Sequence, residues 1–285
     1  MVHMLLAVLL TACVAHSALA QLPGMPMPAM CNGAAQAPIP RSDLNWPANQ
    51  TRLANELHDM DQARGAELIF YGDSITWCFT GQNPSGVVTA QDRERSAVFQ
   101  RHFGRFRSKI MAIPGDQSAN LMWRIMTGGE FPTIHMPKTV VILIGTNDLT
   151  YSDCHEDQQE ILNAAPGIID RVSQITRYIR TNSPNTRIVL LGLLPRGAQY
   201  WDPEQAYIWP NRYQAAIAAV NEGYYKLAES DSKIEYLYCG QPYAFGYGIN
   251  SALLYDGIHP NAQGLDLLAA CIQRDVDQNM RYDAS

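Results

Sequence analysis

The sequence predicts an α/β protein built on a five-stranded parallel sheet with helices on both faces. Three observations predict it. Short apolar runs alternate with longer segments of helical spacing along the chain, and such alternation folds as parallel strands joined by helical crossovers. Thr139-Val140-Val141-Ile142-Leu143-Ile144 is a continuous β-branched run, the pattern of a strand buried on both faces. The first three runs end in glycine or small polar residues, as in Gly72-Asp73-Ser74, Gly115-Asp116 and Gly145-Thr146-Asn147-Asp148. In an open α/β sheet that carboxyl edge is where ligands bind.

The 285 residues, 47% hydrophobic and 17% charged, have an ordinary globular composition. A net charge of −6 without a Lys/Arg run argues against a nucleic-acid partner. After residue 20 no apolar stretch is long enough to span a membrane. Residues 1–20 differ: Met4 to Leu10 form an apolar core, and Ala18-Leu19-Ala20 precedes Gln21 as an A-x-A cleavage signal. The expectation is a cleaved secretory peptide, although His3 stands where Lys or Arg is usual. Leu10-Thr11-Ala12-Cys13 resembles a bacterial lipoprotein box, so a lipid anchor on Cys13 is the alternative.

Residues 21–48, with six prolines between Pro23 and Pro47 and no periodicity, read as a linker or loosely packed arm. Residues 49–285 read as the folded domain. Its first helix is expected from about Gln50 to Gln62, with Leu53, Leu57 and Met60 on one face. The opening strand, Leu68 to Tyr71, follows and is broken by Gly72. Phe79 to Ala90 reads as a polar loop beside the active edge, and Asp92 to Phe103 as a helix. Lys109 to Ile113 is the second strand; Asp116 is expected to cap a helix reaching Met126. After the third strand, Ile161 to Arg180 keeps one helical spacing. Arg187 to Leu194 is the fourth strand, and an aromatic stretch from Gln199 to Tyr213 merges into a helix ending near Ser230. Ile234 to Tyr238 is the fifth strand, and Asn261 to Asp277 closes the chain as a helix.

Mature secretion leaves Cys31, Cys78, Cys154, Cys239 and Cys271, enough for two disulfides. Cys78 with Cys154 is the first expected pair, because both lie on loops at the same sheet edge, and Cys239 with Cys271 the second; free buried thiols are the alternative. No cysteine spacing fits zinc. Asn49-Gln50-Thr51 is the one usable glycosylation sequon.

Singly, the edge residues say little: Gly-Asp-Ser is commonly a helix cap, and His259 before Pro260 suits a helix start. Together they are specific. A serine hydroxyl is a weak nucleophile until a base takes its proton. Asp256 and His259, three apart on one loop, can set the carboxylate on imidazole Nδ1 and leave Nε2 for Ser74. Backbone N–H groups of Ser74 and Gly115 and the side-chain amide of Asn147 would then receive an oxyanion, and a Cβ at Gly115 could obstruct the substrate.

These blocks resemble the SGNH (GDSL-type) esterases and lipases: Gly-Asp-Ser at 72–74, Gly115, Gly-Thr-Asn-Asp at 145–148 and Asp-x-x-His at 256–259, in that family's order. Within it, Gly115-Asp116 with Leu121 to Arg124, and Leu191 to Gly197, resemble the catalytic subunits of intracellular platelet-activating-factor acetylhydrolases. The resemblance implies a flavodoxin-like three-layer α/β/α sandwich, no metal or cofactor, and ester hydrolysis through an acyl-serine. It implies Ser74 as nucleophile, His259 as base, Asp256 as its orienter, and Ser74, Gly115 and Asn147 as the oxyanion hole. No G-x-S-x-G occurs, so the α/β-hydrolase elbow is the poorer match. The implied partner is a small-molecule, lipid or carbohydrate ester, short-acyl esters and acetyl groups being the expectation. A secreted binding protein that keeps this fold without turnover is the alternative. The signal peptide, the cysteines and an added loop around Phe79–Ala90 depart from those intracellular subunits. Asp153 to Asp157 reads as a solvated loop rather than a cation site, Arg196 as an ion-pair or substrate residue, and Tyr200 to Tyr213 as packing or a stacking surface. Nothing in the sequence speaks to oligomeric state.

Overall fold

Strand β1 (Leu68–Gly72) is buried along its whole length because it is paired on both edges. On one side lies β2 (Ser108–Ala112), on the other β3 (Thr139–Leu143). β4 (Arg187–Leu191) and β5 (Ile234–Leu237) extend the sheet beyond β3, so the order is β2-β1-β3-β4-β5 and every pairing is parallel. That is the flavodoxin-like order, with its switch point between β1 and β3. The computed structural model describes residues 37–281 apart from 44, 84–86, 199–201 and 203. The expected secretory peptide, Cys13, Cys31, Tyr200, Trp201 and the first part of the arm lie outside the described residues.

The path from β1 to β2 runs toward one edge and the later paths run toward the other. Right-handed crossovers therefore place their helices on opposite faces. On the first face α3 (Ala90–Phe103) packs against α9 (Ala262–Arg281); on the second α4 (Ser118–Met126), α7 (Ala165–Asn182) and α8 (Gln214–Ser230) pack in series. The result is the expected three-layer sandwich. Helix α1 (Trp46–Ala63) joins α4, with Gln50 Nε2 donating to Gly128 O at 2.6 Å and the Trp46 and Trp123 rings 5.7 Å apart. Phe70 of β1 meets Phe79, Phe99 and Phe103 at centroid separations of 4.9 to 6.2 Å. This apolar cluster anchors the strand that carries the site.

Several boundaries differ from expectation for identifiable reasons. α1 starts at Trp46, since Pro47 is tolerated in a first turn, and this puts Asn49 of the sequon on a helix. The single helix expected from Ile161 is two, α6 (Gln158–Asn163) and α7, with Pro166 in the first turn of the second. The apolar spacing runs across the break, so periodicity could not reveal it. Gln117 rather than Asp116 occupies the α4 cap, where its N–H donates to Asn120 Oδ1 at 2.9 Å. A small antiparallel pair, β6 (Ala244–Phe245) with β7 (Gly248–Ile249), follows β5; two-residue strands leave no pattern to read.

Cys239 and Cys271 form a disulfide that ties the segment after β5 to α9. The other expected pair does not form. Cys78 is a free, buried thiol 3.9 Å from Arg95 Nη1, while Cys154 is disulfide-bonded elsewhere. Phe79 next to Cys78 belongs to the phenylalanine cluster, and both residues are buried in the core.

Candidate active site

Ser74 is the first residue of α2 (Ser74–Trp77), directly beyond β1. Asp73 caps that turn, its Oδ1 accepting the Ile75 N–H at 2.9 Å. Ser74 Oγ lies 2.8 Å from His259 Nε2, and His259 Nδ1 lies 2.6 Å from Asp256 Oδ2. The second oxygen of Asp256 accepts backbone N–H groups of His259 at 2.7 Å and Ile258 at 3.0 Å. The three-residue spacing thus orients carboxylate and ring together. Gly257 makes the turn possible: its φ is +83°, and a Cβ there would stand 1.9 Å from the Ala206 carbonyl oxygen. With Asp256 accepting at Nδ1, the neutral ring carries its proton there and offers the Nε2 lone pair to Ser74.

Gly115 follows β2, and Asn147 stands in the first turn of α5 (Thr146–Tyr151) beyond β3. The sheet order therefore brings Ser74, Gly115 and Asn147 to neighbouring strand ends. The Ser74 and Gly115 N–H groups donate to no backbone acceptor among the described residues. Asn147 Nδ2 donates one hydrogen to Asp116 O at 2.9 Å, which aims the amide and leaves its second hydrogen for another acceptor. Gly115 has φ +81°, and a Cβ there would first meet the Arg41 guanidinium, at 3.0 Å from Nη1. The expected conflict of a Cβ with substrate is thus preceded by one with this chain's own arginine.

A family model for the GDSL-like Lipase/Acylhydrolase family matches residues 70–267, a span holding Ser74, Gly115, Asn147, Asp256 and His259. The chain belongs to this family. Among curated proteins it is similar to platelet-activating factor acetylhydrolase IB subunit alpha2 of Homo sapiens, 26% identical over 182 residues, 64% of this chain and 61% of that one. The Drosophila melanogaster subunit beta homolog is 28% identical over 189 residues, 65% of each chain. The chain thus spans less than two thirds of the length of these relatives. Two solved structures share the fold: a GDSL-like lipase from Bacteroides thetaiotaomicron, with TM-score 0.54, 18% identity and coverage of 81% of this chain and 98% of that one; and a mutant of an acetylxylan esterase from Geobacillus stearothermophilus, with TM-score 0.50, 16% identity and coverage of 75% and 94%.

In this GDSL-like chain, both polar loops beside Ser74 are pinned from below. Asp116 is fully buried and receives Arg124 Nη1 at 2.8 Å and Trp46 Nε1 at 2.7 Å. Arg124 also grips Glu130 through Nε and Nη2, at 3.0 and 2.6 Å. Asp148, next to Asn147, is equally buried and receives Ser118 Oγ at 2.6 Å, Ser118 N–H at 2.8 Å and Arg171 Nη2 at 3.0 Å. Buried charges persist only when paired and hydrogen-bonded, and each of these acids sits one residue beyond a predicted oxyanion donor. Sequence reasoning missed this role; the acidic residue after Gly115 and after Asn147 was its only trace. Tyr255, also missed, lies over the imidazole with centroids 6.0 Å apart and nearly parallel planes. Its carbonyl accepts from Tyr207 Oη at 2.7 Å.

The electrostatics follow from burial opposed by pairing. Burial disfavours the His259 cation, but Asp256, with help from Asp73, outweighs it and raises the imidazole pKa. Burial likewise works to raise Asp256, and His259 with two backbone N–H groups overcomes it, holding that carboxylate below its ordinary value. Asp73 is pushed up to about 7 by burial, only partly offset by the Ile75 N–H and His259. The remaining sequence candidates have mostly structural partners. Asp153 binds Arg212 Nε at 2.8 Å and Tyr213 Oη at 2.5 Å. Arg196 donates to Thr146 O at 3.0 Å and Thr150 Oγ1 at 2.5 Å, with its guanidinium over the Tyr213 ring.

Proposed function

We propose that the protein is a secreted serine ester hydrolase acting on short-acyl esters through an acyl-serine. The observation that carries this reading is the Asp256–His259–Ser74 relay at the switch-point edge, with hydrogen bonds of 2.6 and 2.8 Å. Ser74 Oγ attacks the ester carbonyl carbon as its proton passes to His259 Nε2. The carbonyl π pair moves to oxygen, and that oxyanion is received by the N–H groups of Ser74 and Gly115 and by Asn147 Nδ2. Collapse breaks the bond to the alkoxy oxygen, which takes the proton from His259 and leaves as alcohol. Water then loses a proton to His259 as it attacks the acyl carbon. Collapse of this second intermediate releases the carboxylic acid and returns the proton to Ser74 Oγ. Asp256 stays ionised throughout and stabilises the imidazolium.

The names of the relatives point to acetyl esters on lipid, and that of the structural neighbour to acetyl esters on carbohydrate. A panel of short- and long-acyl p-nitrophenyl esters, acetylated sugars and short-acyl glycerophospholipids tests the reading. The expected result is hydrolysis that falls with acyl length; no turnover of any ester would overturn it. Secretion is supported by the A-x-A signal at 18–20 and by the Cys239–Cys271 disulfide; the arm read as residues 21–48 gives way to the hydrolase domain of 49–285 slightly earlier, since α1 already begins at Trp46. A mature protein starting at Gln21 is the expected finding; lipid on Cys13 would replace it.

Two variants arise directly from the geometry. Asn147→Ala removes one oxyanion donor and should lower kcat by a factor of about 10² to 10³, with little effect on KM; steady-state kinetics on a short-acyl ester would show it. The pH dependence follows from His259, which must be neutral to accept the Ser74 proton. Its pKa is raised by Asp256, so kcat/KM should fall as pH drops through a limb lying above the ordinary imidazole value. In Asp256→Asn that limb should move to lower pH while the plateau rate falls. An unshifted limb would contradict the pairing.

A further inference from the structure

Arg41 belongs to the proline-rich segment that sequence alone reads as an arm, yet its guanidinium lies against Gly115. Nη1 donates to the Pro114 carbonyl oxygen at 2.8 Å and to Asp116 Oδ1 at 3.2 Å, and Nε to Asp43 Oδ2 at 2.8 Å. From the Cβ position of Gly115, Nη1 and Nη2 stand only 3.0 and 3.1 Å away. The neighbouring chain is anchored too, Asn120 Nδ2 donating to Ile39 O at 3.0 Å and Trp46 Nε1 to Asp116 at 2.7 Å. The Pro114 carbonyl and the Gly115 N–H are the two ends of one planar peptide.

We propose that Arg41 is a positioning residue that holds and polarises the Pro114–Gly115 peptide so that its N–H faces the oxyanion. The proposal rests on the serine-hydrolase reading and adds to it a residue outside the matched span. Gly115, free of a Cβ and at φ +81°, sits in a tight turn where the preceding peptide can rotate about its flanking bonds. Reversing that peptide would point the Pro114 carbonyl, an acceptor, at the developing negative charge. A charge-assisted hydrogen bond to that carbonyl opposes the reversal. It also draws electron density along the peptide and strengthens the N–H at the far end as a donor. Asp116, held by Arg124 and Trp46, fixes the other side of Gly115.

The test compares full-length wild type with Arg41→Ala, Arg41→Gln and Arg41→Lys. It reads kcat and KM on a short-acyl p-nitrophenyl ester, active sites counted by fluorophosphonate labelling, and the melting temperature. Arg41→Ala should lower kcat per labelled site about tenfold or more with KM little changed. Arg41→Lys, which keeps a charged donor, should recover part of the loss, and Arg41→Gln less. A merely structural arginine would change melting temperature and the number of active sites but leave kcat per site alone. That outcome overturns the proposal, and Gln and Lys decide it if the Ala variant does not fold. A wild type that neither turns over ester nor takes the label would remove the serine-hydrolase reading instead, and this proposal with it.

Discussion

Ser74→Ala should abolish ester turnover, with an expected loss in kcat on the order of 10⁶, the scale seen when a triad nucleophile is removed. The hydroxyl makes one hydrogen bond to His259, and its backbone starts a turn capped by Asp73. Alanine therefore removes the attacking atom without a cavity or a lost cap, and the melting temperature should stay close to that of wild type. Turnover and thermal unfolding measured on one preparation check both halves. Appreciable residual kcat would mean that another residue attacks the ester.

His259→Ala should cost about as much, again on the order of 10⁶, because serine and base act as one unit. The double variant Ser74→Ala/His259→Ala should be no slower than either single one, since each removal already disables the relay. Asp256 would remain satisfied by the backbone N–H groups of residues 258 and 259, so the loss should be catalytic rather than structural. Kinetics of the three variants form the measurement. Additive losses would indicate two independent contributions and contradict the relay.

The sheet was legible because β1 and β3 are buried on both faces and so read as unbroken apolar runs. The loops that carry the site were legible because Ser74, Gly115, Asn147, Asp256 and His259 form a recognisable set in a recognisable order. The structure brings these five to one sheet edge. Their support was not legible. Arg41 and Trp46 act 70 or more positions along the chain from Asp116, and contacts at that range leave no period in a sequence. Asp116 looks like a helix cap until Arg124, on the helix it precedes, turns it into the core. Cys78 looked available for Cys154 until the phenylalanine cluster around Phe79 buried it.

The most direct measurement is labelling of the full-length protein with a fluorophosphonate, followed by peptide mapping. One label per chain on Ser74, lost in His259→Ala, is the predicted result. A label on another residue, or a folded protein that takes none, would contradict the assignment of Ser74 as an activated nucleophile and would favour a binding protein that keeps this fold without turnover.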